Sequence, residues 1–165
     1  MTTGNYIPKQ KQVYFKAYKE PSKLESALKY LKEENKSFFQ VSILGKVAQF
    51  SSDKGIEISN DSTITKAYWK DQLGKSVNFG TFYNTESGFV FIVGALVSIF
   101  LHQINGKPLA TLSSGTYGIF RGIGASETQA TTYLKLLNSG NYLLILRGAD
   151  NEINALDRLY NEITF

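Results

Sequence analysis

The sequence predicts an α+β domain, with one sheet and helices packed on it. Three observations carry this. The run Gly88 to Leu101, GFVFIVGALVSIFL, is the only long apolar stretch in 165 residues. Its first half, Phe89 to Val93, is aromatic and β-branched, the composition of a strand buried on both faces. Two further segments place apolar residues at helical spacing behind an S-x-x-E/Q start. They are Ser22 with Glu25 ahead of Leu24, Ala27, Leu28 and Leu31, and Ser126 with Gln129 ahead of Ala130, Tyr133, Leu134 and Leu137. Short apolar or alternating runs flank both helices.

In chain order, residues 1–12 are polar and basic and read as a flexible N-terminal arm. Residues 13–165 form a single domain. Val13 to Tyr18 is a strand. Pro21 and Ser22 open the first helix, which runs to about Asn35. Phe38 to Leu44 alternates, with Phe39, Val41 and Ile43 on one face, and forms the second strand. A strand, a helix and a strand make a βαβ unit with parallel strands and a right-handed crossover. Residues 53–87 read as an insertion. Within it Asp61 caps a helix with Ile64, Ala67 and Tyr68 as its stripe and Gly74 as its stop. Asn78 to Ser87, rich in Gly, Asn and Thr, reads as loop.

The central run then gives a strand, a break at Gly94 and a helix over Ala95 to Ile104. Asn105-Gly106-Lys107-Pro108 is a turn. Leu109 to Ile123 carries Gly115, Gly118 and Gly122 and reads as one short, closely packed helix. Ser126 caps a clear helix that Gly140 terminates. Tyr142 to Leu146 is a strand, and Asp150 caps a last helix with Ile153, Leu156, Tyr160 and Ile163. Two strand–helix–strand units in series fit a ferredoxin-like, or split βαβ, sandwich with inserted helices and a C-terminal helix. That topology puts the first and third strands in the middle. It leaves one sheet face to be covered by the inserted helices or by another subunit.

Composition narrows the function. The absence of cysteine removes disulfides, thiolate metal sites and thiol nucleophiles, and it fits a reducing, cytoplasmic setting. The single histidine, His102, has no visible partner for acid–base or metal chemistry. No cofactor fingerprint, P-loop or pair of placed carboxylates is present, so an enzyme is the least favoured class. A net charge of +4, with pI near 9.1, is mild and spread along the chain. The central run falls short of the roughly 20 apolar residues of a membrane span.

Several motifs resemble a known family, the bacterial general stress protein 17M-like and low-temperature-induced domains. Val13 to Lys46, closing on Leu44-Gly45-Lys46, is similar to the family's N-terminal half. Gly122-Ile123-Gly124, Ser126-Glu127, Tyr133, Gly140 and Tyr142 to Leu146 are similar to its C-terminal half. Ala125 and Ala95 stand where the family commonly has Pro and Gly-Pro, and residues 53–82 lack its glycine zipper. The resemblance implies a bacterial, stress-associated protein of unknown function, with no catalytic residues to carry over.

Three binding modes follow. The surplus of apolar and aromatic residues points to self-association as a homodimer or higher oligomer. The glycines before Ser126, with Arg121 beside them, offer backbone N–H groups to a small anion or nucleotide through Arg121, Gly122, Gly124 and Ser126. Val13-Tyr14-Phe15-Lys16 and Gly88-Phe89-Val90-Phe91 faintly resemble the stacking segments of RNA-binding sheets, but Glu86 replaces the expected basic residue. Nucleic-acid binding is therefore the weakest of the three.

Overall fold

The computed structural model describes residues 11–33, 40–47, 51–52, 55–56 and 58–149. In chain order the elements begin with β1 (Lys11–Tyr18), α1 (Pro21–Glu33), β2 (Gln40–Lys46) and the short pair β3 (Ser51–Ser52) and β4 (Gly55–Ile56). Next come α2 (Ile58–Leu73), β5 (Phe79–Asn84), β6 (Gly88–Gly94), α3 (Val97–Phe100) and the small hairpin β7 (Gln103–Ile104) and β8 (Lys107–Pro108). A 3-10 turn at Leu109–Thr111, α4 (Gly115–Gly122), α5 (Glu127–Asn138) and β9 (Tyr142–Ala149) complete the described chain. The N-terminal arm over 1–10 and the helix expected from Asp150 onward lie outside the described residues.

Five strands form one sheet in the order β1-β9-β2-β6-β5, and every neighbouring pair is antiparallel. Alternation along each strand serves two cores. Val13 and Phe15 of β1, Leu143 and Ile145 of β9, and Val90 and Ile92 of β6 face α3, α4 and α5. Leu144 and Leu146 of β9, Ile43 of β2, and Phe91 and Val93 of β6 face the other way. There they meet Leu24, Ala27, Leu28 and Leu31 of α1 and Trp69 of α2. The domain is thus an α+β fold of three layers, and both sheet faces are covered within the chain. Among the described residues no helix is long and apolar enough to cross a membrane.

The arrangement departs from the expected ferredoxin-like order. Each long connection does skip one strand: β1 and β2 run parallel with β9 between them, and β6 and β9 run parallel with β2 between them. Yet β1 lies at an edge, and β9 and β2 occupy the middle of the four. The helices of the two connections also sit on opposite faces. Two crossovers running in opposite senses share a hand only when their helices share a face, so one departs from the right-handed rule. Contacts to β1 fix α5 where it is. The Phe15 and Tyr133 rings stack at 4.9 Å, and Tyr133 Oη donates to the Phe15 carbonyl at 3.0 Å.

Several local expectations changed. Pro21 takes the first helical position of α1, where its missing N–H costs nothing, so Ser22 lies inside the first turn and is not the cap. Helix α2 begins at Ile58, ahead of Asp61. Residues 79–84, expected as loop, pair with β6 as an edge strand. The helix expected over Ala95 to Ile104 shortens to one turn, because Gln103–Ile104 folds back on Lys107–Pro108. Asn105 and Gly106 both take positive φ there, 53° and 81°, the signature of a tight two-residue hairpin.

A candidate ligand cavity beneath the glycine helix

Helix α4 is positioned by the loop that precedes it. Asn84, buried at the end of β5, donates through Nδ2 to the carbonyls of Ala110 at 2.9 Å and Leu112 at 3.4 Å. Its Oδ1 accepts from the backbone N–H of Glu86 at 2.8 Å and of Ser87 at 3.4 Å. One side chain therefore ties the β5–β6 hairpin to the 3-10 turn. The chain reverses at Ser114, which is left-handed with φ 60°. Gly115 then lies so close to the Leu109 carbonyl that any Cβ would collide with it. The single helix expected over Leu109 to Ile123 is accordingly broken into a 3-10 turn and α4.

The end of α4 accounts for the four residues expected to bind an anion. Gly124, with φ 118°, donates to the Arg121 carbonyl at 3.1 Å, and Ala125 donates to the Phe120 carbonyl at 3.0 Å. This is a Schellman closure, with Ala125 buried beside Phe120 in the core. The Ser126 N–H donates to Gln129 Oε1 at 2.9 Å, and the Gln129 N–H donates to Ser126 Oγ at 3.1 Å. The capping box expected there is present, and it uses these donors. Arg121 is exposed and reaches back to the Ala125 carbonyl at 3.4 Å. Arg121, Gly124 and Ser126 build a closed turn; Gly122 alone of the four lines a cavity.

That cavity has a volume of about 520 Å³ and lies between α3, the 3-10 loop, α4 and β9. Ile119 and Ile123 are its most buried apolar walls, with Ile99, Leu109 and Leu112 half-buried around them. Ser113, Ser114, Gly118 and Gly122 are exposed at its mouth. The one charged side chain among the described lining residues is Arg147 of β9. In the ladder it sits opposite Val13 on one side and Gln40 on the other, neither of them acidic. Its Nε is buried and makes no hydrogen bond. One donor of the guanidinium is thus shut off from water without an acceptor, while the residue as a whole is half-buried and its positive charge borders the cavity.

The glycines of α4 differ in their reasons. Gly115 is required by packing. Gly118 and Gly122 have ordinary helical φ, and a Cβ built on either meets nothing within 4 Å. A glycine inside a helix costs about 1 kcal/mol relative to alanine, and at Gly118 no packing among the described residues offsets it.

Elsewhere the geometry is more ordinary. Trp69, Tyr68, Phe91 and Tyr142 meet beside Lys46 in a cleft of about 240 Å³ opposite α5. Their rings pack on one another, Trp69 and Phe91 stacking at 5.8 Å. Burial there raises the Tyr142 phenol above its usual pKa. His102 is exposed between α3 and β7. Among the described residues no group of three His, Asp or Glu side chains is placed to hold a metal ion. Of the aromatics in the two segments that resemble RNA-binding strands, Phe15 and Phe91 are buried in opposite cores, Tyr14 and Phe89 are half-buried against the core that holds α1, and β9 and β2 separate the two strands. Among the described residues most large apolar side chains pack into the two cores. Tyr83 and Ile104 are the exposed large apolar side chains among the described residues.

Comparison of the chain with protein-family models, with curated proteins and with solved structures gives no match. The likeness to the stress-protein domain rests on sequence motifs alone.

Proposed function

We propose that the protein is a non-catalytic binding domain for a small anionic ligand, held in the cavity beneath α4 by Arg147. The observation that carries this reading is Arg147, a half-buried arginine with an unpaired Nε and the one charged side chain among the described residues that line a 520 Å³ space. It retains the anion-binding class expected from the sequence but moves the site off the Arg121–Ser126 turn. The resemblance to the bacterial stress-protein domain adds a setting, a protein acting under stress, and the lack of cysteine suits a reducing cytoplasm.

Thermal unfolding with acetate, benzoate and inorganic phosphate tests it. A ligand at about one hundred times its dissociation constant stabilises the folded state by about 2.7 kcal/mol, enough to move the midpoint by several degrees. At least one of these anions raises the midpoint of the wild type and not that of Arg147→Met. No response to any anion, or an equal response in the variant, counts against the reading. Self-association keeps as support the exposed Tyr83 and Ile104 and the edge position of β1. Sedimentation velocity at micromolar concentration decides it, a monomer counting against.

A further inference from the structure

Resting on that reading, we infer that the ligand is an amphiphilic monocarboxylate: its carboxylate pairs with Arg147 and its slender apolar body lies along the bare glycine face of α4. Three observations bear on the ligand's chemistry. The first is charge. Arg147 is the one charged group among the described lining residues, so a single negative charge is neutralised and a phosphate dianion is not. The planar guanidinium fork matches the two oxygens of a carboxylate. The second is the wall. Ile99, Leu109, Leu112, Ile119 and Ile123 offer no hydrogen-bonding side chain, so they suit a hydrocarbon body. The third is shape. With Gly118 and Gly122 the helix presents backbone where other residues would present side chains, and the space above them is open. A volume of about 520 Å³ falls within the range of small-molecule sites.

The consequence is a graded selectivity. Each methylene moved from water to the apolar wall tightens binding about fourfold, until the cavity is filled and the gain stops. A side chain on the glycine face removes the room for the tail and leaves the guanidinium in place.

Calorimetric titration with acetate, hexanoate, octanoate and decanoate, kept below micellar concentrations, reads this directly, with octanol and inorganic phosphate as the tail-only and head-only probes. In the wild type, affinity rises along the carboxylate series and then levels. Arg147→Met weakens octanoate at least tenfold and leaves octanol unchanged. Gly118→Leu, at an exposed helical position where leucine is a better helix former, abolishes the dependence on chain length. If acetate or phosphate binds as tightly as octanoate, the anion reading stands and the amphiphile is overturned. If octanol matches octanoate and Arg147→Met changes neither, the cavity is only apolar and both readings fall. If none of the probes binds, both fall as well.

Discussion

Replacing Asn84 with alanine removes the side chain that joins the β5–β6 hairpin to the loop of the cavity. Two of its four hydrogen bonds are well formed, to the Ala110 carbonyl at 2.9 Å and from the Glu86 N–H at 2.8 Å; the other two, at 3.4 Å, are weak. A well-formed bond contributes about 0.5–1.5 kcal/mol net, and a buried acceptor left bare costs about 1–3 kcal/mol. Ala110 has no exposed surface, so little water reaches its carbonyl. The expected loss for Asn84→Ala is therefore about 2–4 kcal/mol, or very roughly 5–15 °C in the midpoint of a domain of this size. Asn84→Asp separates the two halves of the network. It keeps the acceptor for the hairpin amides but turns a donor into a second oxygen facing two carbonyls. Neutralising that carboxyl relieves the repulsion, so the variant gains stability relative to wild type as pH falls toward the carboxylate range. Urea unfolding followed by the fluorescence of Trp69, the single tryptophan, measures both. A loss below about 1 kcal/mol for Asn84→Ala at unchanged slope, or an Asn84→Asp variant as stable as wild type at neutral pH, refutes this account of the network.

Gly45→Ala places a Cβ 2.6 Å from a ring carbon of Phe91 and 2.7 Å from one of Tyr142, and overpacking of this kind costs about 1–3 kcal/mol in urea unfolding. Phe91→Leu in that background recovers part of the loss, and a cycle without coupling would contradict the contact. Gly94→Ala is more severe, because φ is 108° and the new methyl runs into the Val41 carbonyl; a loss above about 3 kcal/mol, or failure to fold by circular dichroism, is expected. Ser126→Ala removes the cap of α5 and costs about 1 kcal/mol, with hydrogen exchange rising first in the first turn of that helix. Burial holds the Tyr142 phenol above its ordinary value of 10.0. The folded state thus keeps a proton that the unfolded chain releases. Its contribution is full below pH 10 and is lost as pH rises through the folded-state value. Tyr142→Phe should therefore lose less stability than wild type between about pH 8 and about pH 11, measured by urea midpoints.

The elements that announce themselves in the sequence are those whose pattern is local. The stripe Leu24, Ala27, Leu28 and Leu31 is buried as expected, and so is Val90 to Val93 of the apolar strand, with Phe89 half-buried at its start. The capping box at Ser126 forms with both bonds in place. What was not legible depends on partners far along the chain. Strand β5 contains Gly80 and ends in Asn84, and its composition reads as loop until β6 is set beside it. The place of β9 between β1 and β2 leaves no mark in either of the strands it separates. Arg147 was missed for a related reason. It prolongs the apolar run Tyr142 to Leu146 by one residue, and only the fold brings it under α4. The signal available in the sequence was an arginine continuing a buried strand, where a charge has to find a partner.

The position of β9 also sets the order in which the protein can be made. Strand β1 is the first described element to leave the ribosome, yet its sheet partner is β9, the last: Phe15 pairs with Ile145. Strand β2 likewise takes β9 on one side. A nascent chain that has not reached residue 142 can fold α1 and the β5–β6 hairpin but cannot close the sheet. Contacts of such long sequence separation slow folding, and unpaired strand edges invite association between incomplete chains. A chain that stops short of residue 142 therefore leaves β1 without a sheet partner and one side of β2 open, and both are satisfied once β9 is in place.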